Sequence, residues 1–74
     1  MAVRLTIRDF ELEQGFDFLT LYEGSSPRPS NEIARLTGTV TPRSYVSRGN
    51  QMFLRFTSDG SVTSKGFSAA YRAV

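Results

Sequence analysis

The sequence contains no cysteine and no histidine. Lack of cysteine excludes disulfides and thiolate-held zinc; lack of histidine removes the usual remaining transition-metal ligand and the commonest general acid or base. No apolar stretch is long enough to cross a bilayer, and the N-terminus has no signal-type apolar run. Small extracellular domains usually rely on covalent or metal staples. A chain without them is expected to be cytosolic, engineered or a piece of something larger. A block of basic residues is also missing. Eight arginines and one lysine give a net charge of +2 over seven acids, but Arg4, Arg8, Arg28, Arg35, Arg43, Arg48, Arg55 and Arg72 are scattered. Nothing resembles the aromatic–basic block of an RNA-binding sheet, so neither a nucleic-acid nor a membrane partner is expected.

The 74 residues suffice for one domain, which at this size buries only about 60–65% of the surface of its unfolded chain. Alternation of period two runs through it. Val3, Leu5 and Ile7 share one face, Asp9 breaks the phase as a bulge would, and Phe10 and Leu12 resume it. Leu19 and Leu21 oppose Phe16, Phe18, Thr20 and Tyr22. Gly24 with Pro27 and Pro29 makes a loop, and "EIARLTG" reads as a short strand or a helical turn. "QMFLRF" is expected to turn Met52, Leu54 and Phe56 inward, and "GFSAAY" to bury Phe67, Ala69 and Tyr71. Five or six short strands, about ten residues apart, predict an all-β sandwich or partial barrel of antiparallel sheets.

Four of the seven acids, Asp9, Glu11, Glu13 and Asp17, fall within nine residues. Glu13 and Asp17 sit at one strand-to-strand corner and Asp59 at another. A glycosidase uses two such carboxylates, but a chain this short has little left for a sugar cleft. Serine hydrolysis has no base to call on. Binding of a hard cation such as Ca²⁺ suits carboxylates and carbonyls at sheet corners. The simpler alternative makes Glu13 and Asp17 solvated turn residues and Asp59 an Asx-turn former.

"FELEQGFDFLTLYEG" followed by "NQMFLRFTSDGSVTSKGFSAAY" resembles the C-terminal two thirds of a CUB domain. That family runs aromatic-acid-Leu-Glu, Tyr-Asp-Tyr-Leu, Gly-Asn-x-Leu-x-Leu-x-Phe-x-Ser-Asp and Gly-Phe-x-Ala-x-Tyr; here the blocks are Phe10 to Glu13, Phe16 to Gly24, Gly49 to Asp59 and Gly66 to Tyr71. The resemblance implies a jelly-roll-like sandwich over residues 1–74, without the family's N-terminal strands. It implies a non-enzymatic, extracellular protein-recognition module. Glu13, Asp17 and Asp59, with a group such as Ser61 in the turn beyond, would be calcium ligands, and the same three acids would meet a basic side chain of the partner. The family's second disulfide would fall on Gly15 and Thr37. Strands missing from the family pattern would leave Phe16, Phe18, Tyr22 and Phe53 without partners, so a homo-oligomer or a second chain supplying strands is expected. A self-assembling structural β domain without a metal is the alternative.

Overall fold

The computed structural model describes residues 1–58 and 66–74. Six strands occur among them: β1 (Val3–Glu11), β2 (Phe18–Glu23), β3 (Glu32–Leu36), β4 (Arg43–Val46), β5 (Met52–Thr57) and β6 (Gly66–Ala73). They form two antiparallel three-stranded sheets, ordered β4-β1-β6 and β3-β2-β5, so the expected all-β sandwich is what the chain builds. "EIARLTG" resolves to a strand, entered through a 3-10 turn at Pro29–Asn31. Pro29 suits the start of that turn because its fixed φ is already helical there and its missing N–H is not needed.

The central strands carry the core. In β1, Ile7 pairs with Ala69 and Asp9 with Ser68, so Arg8 is the extra residue of a bulge. Without that extra residue Phe10 would point to solvent; with it, Leu5, Ile7, Phe10 and Leu12 are all buried on one side. They meet Leu19 and Leu21 of β2 and Leu36 of β3 in a single cluster. Burying each such side chain stabilises the fold by about 1.5–3 kcal/mol.

Cover over this core is uneven. Beside β3 and β4, Ile33, Val40 and Tyr45 pack against the cluster, and the Arg43 guanidinium lies 5.0 Å from the centre of the Tyr45 ring. Beside β5 and β6, Met52 and Ala69 pack against the cluster as expected, but the cover is partial. Leu54 and Phe56 lie opposite Leu21 and Leu19 in register, which is the inward face expected of them, yet they are 39% and 50% exposed. The expectation that Phe67 and Tyr71 are buried fails further: Tyr71, opposite Leu5, is 79% exposed, and Phe67 is exposed although it touches Phe10 and Phe56. Both strands are sheet edges, so an inward side chain on them has a neighbour on one flank only. An open cleft of about 500 Å³ results, lined by Val3, Leu5, Met52, Leu54 and Tyr71 among others. Three of the aromatics expected to lack partners have them: Tyr22 and Phe53 meet edge to face on the outer side of the second sheet, ring centres 6.1 Å apart, and the Arg35 guanidinium lies over the Phe18 ring, whereas Phe16 is exposed.

Candidate functional site: an acidic corner tied to the end of β5

Between β1 and β2 the chain reverses over Leu12 to Asp17. The Phe16 and Asp17 N–H groups both donate to the Glu13 carbonyl, at 3.1 and 2.9 Å. This tight turn needs Gly15 at φ +82°, a left-handed conformation that side chains with a Cβ rarely adopt. The turn folds the Glu13 backbone onto the Asp17 side chain, and the Glu13 N–H donates to Asp17 Oδ2 at 3.2 Å. Spacing of four residues, which in sequence shows only two acids near a corner, thus becomes a clasp from side chain back to backbone.

Asp17 is 2% exposed. A carboxylate so placed needs hydrogen-bond donors to remain charged. Its second oxygen, Oδ1, accepts from the Ser58 hydroxyl at 2.9 Å. Ser58 directly follows β5, so this bond fastens the end of β5 to the corner across 41 positions of sequence. The Glu13 side chain is half-buried, and its Oε1 is shut off from solvent.

Thr37, just past β3, adds a third strand end. Its hydroxyl donates to the Asp17 carbonyl at 2.8 Å, lies 3.4 Å from the Glu13 carbonyl, and accepts from the Gly15 N–H at 3.0 Å. The two positions where the family pattern would put a disulfide are therefore joined by a hydrogen bond. Sequence reasoning noted Thr37 only as a missing cysteine and overlooked Ser58; the Ser directly before Asp59 was the available signal, but nothing local reveals that its hydroxyl reaches Asp17.

The structure brings Glu13 and Asp17 together; Asp59 and Ser61 lie outside the described residues. Among the described residues no three metal-ligating side chains of the His, Cys, Asp and Glu types gather. The donor set that is described, two carboxylates and the Ser58 hydroxyl, consists entirely of oxygen. A carboxylate offers about four lone-pair sites, of which Asp17 uses two in its bonds to Glu13 and Ser58. The chemistry fits a hard cation such as Ca²⁺ and is wrong for a soft one.

Known proteins are similar to this chain along most of its length. The chain is 42% identical over 74 residues to human Tolloid-like protein 2, covering 93% of the chain but 7% of that protein. It is 38% identical over 73 residues to human Tolloid-like protein 1, again covering 93% of the chain and 7% of the relative. Against human Procollagen C-endopeptidase enhancer 1 the identity is 33% over 77 residues, covering 99% of the chain and 17% of the relative. The chain thus spans a small part of the curated relatives it matches. The family model described as "CUB domain" matches residues 1–71, and the chain accordingly belongs to the CUB domain family.

Proposed function

We propose that this CUB domain is an extracellular recognition module that binds a basic side chain of a protein partner at the Glu13–Asp17 corner, with Ca²⁺ organising the acids. The coarser part, a protein-interaction module, follows from family membership. One relative is by name an enhancer of an endopeptidase, which fits a domain that binds and does not cleave. The extracellular setting rests on the family resemblance.

The observation that carries the calcium reading is the buried Asp17 carboxylate, fastened on one side to the Glu13 backbone and on the other to Ser58. Ser58 immediately precedes Asp59, so a ligand set of Glu13, Asp17 and Asp59 needs only one further residue of chain beyond an anchored point. Ser61, or a carbonyl near it, would complete the set. Acids fixed by a divalent ion before a partner arrives avoid the entropic cost of ordering at the moment of binding, and retain negative charge for a lysine or arginine. Calorimetric titration with Ca²⁺ tests this. Heat and a raised melting temperature are expected, and both should vanish in Asp59→Asn. Absence of heat and of any melting shift at millimolar Ca²⁺ removes the metal from the mechanism.

A second reading is supported by the open cleft between β5 and β6. Exposed inward-facing side chains beside two edges that pair with no further strand among the described residues suit edge pairing with another copy, or with a second chain that adds strands, in a self-assembling domain with no metal role. Sedimentation of the isolated chain in EDTA decides it: association should rise with concentration, and a monomer at all concentrations would rule self-assembly out.

A further inference from the structure

The arginines look dispersed in sequence, but the sheet register collects two of them. On β2, Thr20 pairs with Arg35 of β3 on one side and with Arg55 of β5 on the other. Alternation places Phe18, Thr20 and Tyr22 on the face turned away from the core, since Leu19 and Leu21 between them are buried in it. Arg35, Thr20 and Arg55 thus form one row across the outer face of the second sheet. Backbones two strands apart are separated by about 9.5 Å, a gap that two long side chains can close from either flank.

The row lies in a shallow cleft of about 230 Å³, lined by Phe18, Thr20, Tyr22, Arg35, Arg55 and Thr57. Thr20, 6% exposed, is its floor. The Arg35 guanidinium is 5.8 Å from the centre of the Phe18 ring and 3.6 Å from Glu32, so it is held at the margin. Arg55 is exposed and makes no ion pair among the described residues.

We propose that this face binds a carboxylate side chain from an extended acidic segment of a protein partner, held between the Arg35 and Arg55 guanidinium groups over Thr20. Guanidinium and carboxylate match as planar groups with paired hydrogen bonds, and a cleft flanked by two guanidiniums suits that pairing. Phe18 and Tyr22 supply apolar walls for the stem of a Glu and for a neighbouring apolar residue. The size and charge of the cleft favour one carboxylate over a polyanion. Affinity for a nucleic acid or a sulfated glycan grows with each anionic group neutralised; two guanidiniums, one already beside Glu32, offer few such contacts. The proposal rests on the protein-interaction reading of the family and is independent of calcium.

The test uses the whole chain in EDTA, with a labelled heptapeptide carrying a central Glu flanked by Leu, followed by fluorescence anisotropy. The Glu peptide is expected to bind at least tenfold more tightly than its Gln counterpart. Arg55→Gln and Arg35→Gln should each weaken binding at least fivefold with little change in melting temperature, Arg55→Lys should weaken it less, and Arg4→Gln on the other sheet should leave it unchanged. Amide shifts on titration should centre on residues 18–22 and 53–57. Equal binding of the two peptides, unchanged affinity in both Arg variants, or no binding at millimolar peptide would overturn the proposal. So would a heparin octasaccharide that binds more tightly than the peptide and loses affinity in Arg55→Gln, since the face would then read a sulfated polyanion. Because calcium is excluded, failure here leaves the acidic corner untouched.

Discussion

The acidic corner and the cleft between β5 and β6 lie in the same small sandwich and are built in opposite ways. At the corner a buried carboxyl group is hydrogen-bonded through both oxygens: it and one threonine hydroxyl tie together the ends of β1, β2, β3 and β5. At the cleft, large apolar side chains face inward and yet stay partly exposed. The corner shows that directional bonds can fix a loop where little apolar area is available. The cleft shows that pointing toward the core does not guarantee burial: Leu36 on the edge strand β3 is buried, whereas Leu54 and Phe56 on the edge strand β5 are not.

The cross-strand pair Leu21 and Leu54 gives the sharpest way to break that contrast. Leu21 is fully buried and Leu54 is 39% exposed, although they sit opposite one another. Leu21→Ala should cost about 2–5 kcal/mol by chemical denaturation, and Leu54→Ala clearly less. Equal costs would mean that the cleft is closed in solution. Asp17→Asn comes next, with an expected loss of about 1–3 kcal/mol, since an amide cannot accept from both the Glu13 N–H and the Ser58 hydroxyl as the carboxylate does. A smaller loss would mark the clasp as incidental. Tyr71→Ser should have the smallest effect, within about 0.5 kcal/mol for the monomer; if copies associate through the cleft, the same change should weaken association in sedimentation while leaving monomer stability alone.

Much of the sandwich was legible because period-two alternation is local. Leu5, Ile7, Leu19 and Leu21 are in the core where the pattern puts them, and the phase break near Asp9 is a bulge. Tyr71 and Phe67 were expected to be buried and are exposed, for a reason that alternation cannot express: it says which face a side chain points to, whereas cover depends on what the tertiary fold lays beside it. Glu13 and Asp17 were legible as a pair from their spacing and the family pattern. Ser58 and Thr37 were not, since each reaches the corner only through the pairing of distant strands. The Arg35–Thr20–Arg55 row has the same origin: three residues far apart in sequence become neighbours through two registers.

The Gly15–Thr37 contact has a consequence for where such a domain can work. A covalent bridge at these positions would stabilise by about 2–4 kcal/mol and could be cut by thiols, whereas a single hydrogen bond contributes nearer 0.5–1.5 kcal/mol and is indifferent to them. This corner therefore forms without oxidative folding machinery, cannot be shuffled into a wrong pairing, and keeps its shape in a reducing or an oxidising solution alike.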